Sequence, residues 1–206
     1  MDHGRLYLAI DIEKGGDCPT RHPLLALGVC LGSAAGGVLE KKTWCLKPLP
    51  TQTMEDVCVT EFWAHHSDLL DRIQAAAADP AEGLNSFNEY LCGLHARFPA
   101  ATFGILSNNP AYDIGTLDAV MCASFRDRPI RYLGDGKYRS ISDPSEMVKG
   151  QNSKKKVYSW AMARAKADHW PENDAEFIYW TFIAAQRVAA QLLAGALLED
   201  TDPEAT

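Results

Sequence analysis

The chain has 206 residues, 47% apolar and 23% charged, with 15 Gly and 11 Pro. That composition supports one domain with a hydrophobic core and excludes collagen-like, low-complexity and wholesale disordered chains. The formal charge of −7 argues against a polyanionic partner as a sum, yet residues 126–166 hold eleven Lys/Arg against four Asp/Glu, which suits either a polyanion or a solvated loop.

The opening RLYLAIDIE alternates. Leu6, Leu8, Ile10 and Ile12 share one side and Tyr7, Ala9, Asp11 and Glu13 the other, which predicts a strand over 5–13. Gly15, Gly16 and Pro19 break it. LLALGVCLG (24–32) and VLEKKTWCLKP (38–48) read as two further strands around a Gly36-Gly37 turn, giving an antiparallel meander. Residues 59–77 and 82–97 carry apolar positions at helical spacing, with Pro80 and Gly83 between them. ATFGILS (101–107) predicts a buried strand, followed by a helix near 112–124. IRYL (130–133) reads as a strand, 134–155 as loop and 157–166 as a short helix. Pro171 suits the first turn of a final helix over 171–198, whose acidic start fits the helix dipole. The order predicts an α/β fold with a mixed central sheet and helices packed on it. Residues 1–198 read as a single domain and 199–206 as a polar tail.

Six cysteines stand apart, none in a CxxC pair, as in the buried thiols of an intracellular protein. No apolar run approaches the roughly 18–20 residues of a membrane span. Asp2, Arg5 and Asp11 leave no secretory signal visible in the first twelve residues, so a cytoplasmic, membrane-free protein is expected.

Asp11 and Glu13 carry the sharpest local signal. As residues i and i+2 of a strand they point to one face, roughly 7 Å apart. Buried like charges need a cation between them or a route to water. Hard ions such as Mg²⁺ take carboxylate oxygens, but an acid pair at a strand end is also common on plain surfaces. Asp113 follows the 101–107 strand through an Asn-Asn-Pro-Ala-Tyr turn; it reads either as a strand-end ligand or as a first-turn helix acid. Asp174 shares a helix face with Ile178, Thr181, Ala185, Val188 and Leu192, so an acid there needs a partner, a ligand or a cleft. His169, five residues earlier, is a proton acceptor near neutral pH or an ordinary surface histidine.

These elements, in this order, resemble the DEDDh group of DnaQ-like 3′–5′ exonucleases. The matching stretches are AIDIEKGG (9–16), SNNPAYDIGTLD (107–118) and HWPENDA (169–175). TEFWAHHSDLLDRI (60–73) is similar to a stretch of the subgroup that contains a mycobacterial exoribonuclease and the phage DexA-type exonucleases. The sister DEDDy group would need Tyr-x3-Asp before the last acid, and position 170 is Trp. A second His-x4-Asp, His66 and Asp71, precedes Asp113 and is out of order. Lys14 departs from the small or apolar residue of many relatives.

The resemblance implies an RNase H-like fold. It also implies two Mg²⁺ or Mn²⁺ ions held by Asp11, Glu13, Asp113 and Asp174, with His169 as general base. The implied reaction is hydrolysis of the 3′-terminal phosphodiester of single-stranded RNA or DNA to nucleoside 5′-monophosphates. Dimers among relatives imply a possible homodimer. Trp63 and Phe62 are candidates to pack on a terminal base, or else form helix core. Gly15, Tyr112 and Asn109 are further nucleotide-binding candidates, and Lys154-Lys155-Lys156 reads as a phosphate contact or a solvated loop. The alternative is an exonuclease-like domain that binds RNA or protein without cutting. The presence of all five expected residues counts against it.

Overall fold

A computed structural model describes residues 4–125, 134–140 and 151–199. The alternating opening forms β1, Arg5–Lys14. It pairs antiparallel with β2, Leu24–Ser33, which pairs antiparallel with β3, Gly37–Cys45. The expected meander is therefore present. On its other side β1 runs parallel to β4, Thr102–Ser107, and β4 runs parallel to β5, Gly134–Ser140. The sheet is mixed, with strand order β3-β2-β1-β4-β5.

Two corrections concern the helices before β4. The single helix expected over 59–77 is three pieces: α1 (Asp56–Glu61), a 3₁₀ turn (Trp63–His65) and α2 (Ser67–Ala76). The break falls at Phe62, with φ −120° and ψ −62°, and lets Trp63 turn into the core while Phe62 stays at its edge. The next helix, α3 (Pro80–Arg97), begins on Pro80 itself. Asp79 caps it by accepting the Ala81 N–H at 2.9 Å, and Pro at the first helical position loses no hydrogen bond.

After β4 comes α4, Asp113–Ser124. The expected strand at 130–133 lies outside the described residues. β5 falls within the 134–155 segment that reads as loop; Gly-Asp-Gly-Lys-Tyr-Arg-Ser lacks the apolar alternation of a strand, yet it pairs with β4 and is the outermost strand on that side among the described residues. α5 (Gln151–Met162) begins earlier than expected, so Lys154–Lys156 are helical. α6 runs Pro171–Glu199.

β1 sorts the core. Leu6, Leu8, Ile10 and Ile12 pack with Phe87, Leu91 and Leu94 of α3 and Ile114, Leu117 and Met121 of α4. Tyr7 and Ala9 face the opposite way, onto Ala175, Ile178, Tyr179 and Phe182 of α6. The sheet is thus covered on both faces, and the α6 side is the side toward which Asp11 and Glu13 point. No helix among the described residues is long and apolar enough to cross a membrane. All six cysteines are free thiols; Cys30 and Cys45 are buried, whereas Cys92 is exposed, contrary to the uniform burial expected.

Candidate active site

The placement of α6 decides the site. Its first turn rests on β2 at Gly28, the residue paired with Asp11. A Cβ at Gly28 would collide with the backbone of Pro171 and Glu172, so only glycine lets the helix N-terminus approach the sheet this closely. Polar ties hold the helix there. Lys41 of β3 reaches Glu176 at 2.6 Å and Asn173 at 3.1 Å, and Thr43 donates to Glu172 at 3.2 Å. One turn further on, the Tyr179 hydroxyl donates to the Ser33 carbonyl at 2.8 Å and accepts the Gly37 N–H at 2.7 Å.

Asp174 is thereby delivered to the end of β1. Ligand atoms of Glu13, His169 and Asp174 lie within 4.8 Å of one another. Asp174 Oδ1 accepts the N–H groups of Asp168 and His169 at 3.0 and 3.2 Å, and its Oδ2 lies 3.7 Å from His169 Nδ1. His169 holds φ 59°, the only non-glycine residue with positive φ among those described. Asp113 enters from the other flank, past the carboxyl end of β4. Ser107 donates to its Oδ2 at 2.5 Å, and the Asn109 N–H donates to the same oxygen at 3.4 Å.

The electrostatics follow from crowding. Asp11 sits well above the ordinary carboxylate range because of burial first, then the charges of Glu13, Asp113 and Asp174. Glu13 is 8% exposed and pushed up to about 8 by burial, then by Asp174 and Asp113. Burial also raises Asp113, offset in part by Ser107, the Asn109 N–H and Lys14. It raises Asp174 too, offset by the N–H of Asp168 and by His169. Acids from three separate segments thus crowd Asp11 and Glu13 and favour a proton or a cation there. The carboxylate oxygens, with one imidazole beside them, are donors that suit a divalent cation.

The nucleotide-binding candidates divide. Trp63 is 2% exposed, so its ring has no face for a base; its indole donates to the Lys14 carbonyl at 3.3 Å and fixes the end of β1. Phe62 is half-buried, with its ring 5.3 Å from that of His169. Gly15 is a packing glycine: its N–H donates to Pro23 and its carbonyl accepts from Glu55, and a side chain would strike Met54 and Pro23. Tyr112 and exposed Asn109 line an open cleft of about 500 Å³ with Lys14, Asp17 and Thr116. Lys14 lies in the cleft wall, its ammonium 3.2 Å above the Tyr112 ring centre. Burial lowers its pKa, offset by Asp17.

Two neighbours escaped the sequence reading. Ser107 orients Asp113, and its only signal is a hydroxyl ending an apolar strand. His66, dismissed with its out-of-order Asp71, stacks edge-on to His169 at 4.7 Å between ring centres.

No family model matches the chain, and no curated protein matches it in sequence. Solved structures do match. The product-bound structure of exonuclease I superposes with a TM-score of 0.56 at 13% identity, over 93% of this chain and 46% of that one. The fold is that of part of exonuclease I. Exonuclease I with SSB-Ct gives a TM-score of 0.60 at 11% identity, over 93% of this chain and 44% of that one. The zinc-bound E. coli exonuclease I–ssDNA complex gives 0.58 at 13% identity, over 93% and 43%. The chain therefore spans less than half the length of the exonuclease I chains it matches.

Proposed function

We propose that the chain is a metal-dependent 3′–5′ exonuclease of the DEDDh type, cutting the 3′-terminal phosphodiester of single-stranded RNA or DNA and releasing nucleoside 5′-monophosphates. The observation that carries the reading is the convergence of Asp11, Glu13, Asp113 and Asp174 at the carboxyl ends of β1 and β4, with His169 against the last of them. The likeness in fold to exonuclease I, solved with single-stranded DNA, supports it. A single catalytic domain over residues 1–198 accords with it.

Asp11, Glu13 and Asp174 would hold one divalent ion and Asp11 with Asp113 a second. Bound there, such ions lower the pKa of water and stabilise charge on the phosphate. The protein's own groups do the rest. His169 turns Nδ1 toward Asp174, leaving Nε2 to take the proton of the attacking water. Asp174, held by two backbone N–H groups, fixes that imidazole. Ser107 holds Asp113 in one rotamer. The terminal nucleotide would occupy the cleft of Lys14, Asn109 and Tyr112, with Phe62 on the histidine side.

The test is a strand carrying a fluorophore on its 3′-terminal nucleotide. Release of the labelled mononucleotide in Mn²⁺, abolished by EDTA, is expected. Release that persists in EDTA, or none in Mn²⁺ or Mg²⁺, overturns the proposal.

A further inference from the structure

A second feature lies away from the acid cluster, in the groove where α5 packs on α6. This groove of about 680 Å³ is lined by Lys155, Lys156, Trp160, Arg164 and Arg187, with Gln191 at its far end. Its described lining carries four cations and no acid, in a chain with 27 Asp/Glu against 20 Lys/Arg. The acids that set the net charge lie elsewhere, so this groove is a local positive field on an acidic body.

Its centre is an aromatic–cation stack. The Arg164 guanidinium lies 3.4 Å over the Trp160 ring, with Nη1 donating to the Trp160 carbonyl at 3.1 Å. Arg187 sits 5.1 Å from the same ring and donates to the Ala35 carbonyl at 3.1 Å. Neither arginine is neutralised by a carboxylate in these contacts. The outer face of exposed Arg164 is a flat cationic platform, and Lys155 and Lys156 stand exposed on α5 a little over one turn before Trp160. Stacking surfaces interleaved with backbone cations are what sequence-tolerant single-strand binding uses.

The groove is in line with the candidate active site. Along α6, Ala184 and Gln191 lie about 15 and 25 Å from Asp174, at roughly 1.5 Å per residue. A strand whose end is in the acid cluster would reach this distance within a few nucleotides.

We propose that the α5–α6 groove is a binding site for the phosphodiester backbone of a single strand, engaging substrate nucleotides several positions upstream of the cleaved end. The assignment of these nucleotides to a substrate rests on the nuclease reading; the binding does not. Lys155 and Lys156 contact phosphates, while exposed Arg164, backed by the Trp160 ring, presents the stacking surface.

The experiment is fluorescence anisotropy with a 5′-labelled 12-nucleotide strand in EDTA, which prevents cutting, over a NaCl series. The proteins are the full chain, the Lys155→Gln/Lys156→Gln variant and the Lys155→Arg/Lys156→Arg variant. The glutamine variant is expected to bind about tenfold more weakly at low salt. Its dependence of log affinity on log salt should be shallower by about 1.4, from two lost phosphate contacts at ~0.7 each. The arginine variant should bind within about twofold of the unaltered chain. Equal affinity and equal salt dependence in the glutamine variant overturn the proposal. So does binding of an octaglutamate peptide that only the glutamine variant loses while the strand binds both alike, which assigns the groove to an acidic protein partner. A chain that holds the strand through these lysines yet leaves it uncut in Mn²⁺ sinks the nuclease reading alone. A chain that cuts it with binding unaltered in the glutamine variant sinks the groove alone.

Discussion

His169 meets the carboxylate of Asp174 through two of its own nitrogens: its backbone N–H donates to Oδ1 at 3.2 Å, and its Nδ1 lies 3.7 Å from Oδ2. It does so with φ 59°, a left-handed conformation that costs a non-glycine residue about 1–2 kcal/mol. The strain turns the imidazole back over the acid cluster, where Asp174 settles its orientation. His169→Gly is therefore expected to fold at least as stably as the parent, by up to about 1 kcal/mol, since glycine adopts this conformation freely. His169→Ala keeps the strain and should be the less stable of the two in denaturant titrations. Both should lose roughly 10²–10⁴ in kcat. Retained turnover would rule out the imidazole as base, and a loss confined to metal affinity would make it a ligand.

The acid cluster sets the pH dependence of stability. Glu13 titrates near 8 in the folded chain, against about 4.3 in an unfolded one. Between those values the unfolded chain has released a proton that the folded chain keeps, so raising the pH favours unfolding. The stability this group allows is full below about pH 4 and is lost as pH rises through 8. Between pH 6 and 9 the metal-free melting temperature should fall by roughly 5–10 °C, from about 2–3 kcal/mol. Glu13→Gln should flatten that fall. Mn²⁺ should raise the melting temperature more at pH 8.5 than at pH 6, because the ion takes the place of protons. A pH-independent melting curve for the unaltered metal-free chain would contradict the crowding of charge.

Gly28 is the contact on which the geometry turns. A methyl group there must push Pro171 and Glu172 off the sheet. Gly28→Ala should cost about 1–3 kcal/mol as overpacking. It should also weaken Mn²⁺ binding, because Asp174 travels with the displaced helix. Calorimetric titration with Mn²⁺ checks this: unchanged affinity in a destabilised variant would mean that the helix start is held by its other ties alone.

The aromatic pair gives opposite expectations for adjacent residues. Trp63→Phe removes the indole bond to the Lys14 carbonyl from a buried site and should destabilise by about 1–3 kcal/mol. Phe62→Ala should leave stability within about 1 kcal/mol, as expected for a half-buried ring, and raise KM for the strand. Melting curves beside steady-state kinetics distinguish them, and reversed results would return Trp63 to the base-stacking role.

Much of this arrangement is legible in the sequence because its signals are local and periodic. The alternation of β1 places Asp11 and Glu13 on the face opposite Leu6, Leu8, Ile10 and Ile12, and α6 keeps Ile178, Thr181 and Ala185 inward as its spacing predicts. Farther along, that stripe fails: Leu192 is 48% exposed, since α6 outruns the sheet that covers its start. What sequence hides is tertiary. Whether Phe62 or Trp63 turns inward depends on a break between two helical turns, and both residues are equally apolar. β5 is paired through its backbone, whereas its sequence reads as loop. Gly28 looks like any glycine in an apolar strand until the helix that rests on it is in place.

The most direct measurement is incubation of matched 5′-labelled RNA and DNA strands with Mn²⁺ and either the unaltered chain or Asp11→Asn, scored as a ladder. Removing one charge from a crowded, half-buried side chain should leave the variant folded, with a melting temperature no lower than the parent's. The unaltered chain should shorten at least one strand nucleotide by nucleotide from its 3′ end, and Asp11→Asn should leave both intact. Strands left whole by the unaltered chain, or shortened equally by folded Asp11→Asn, would contradict a nuclease built on these four acids.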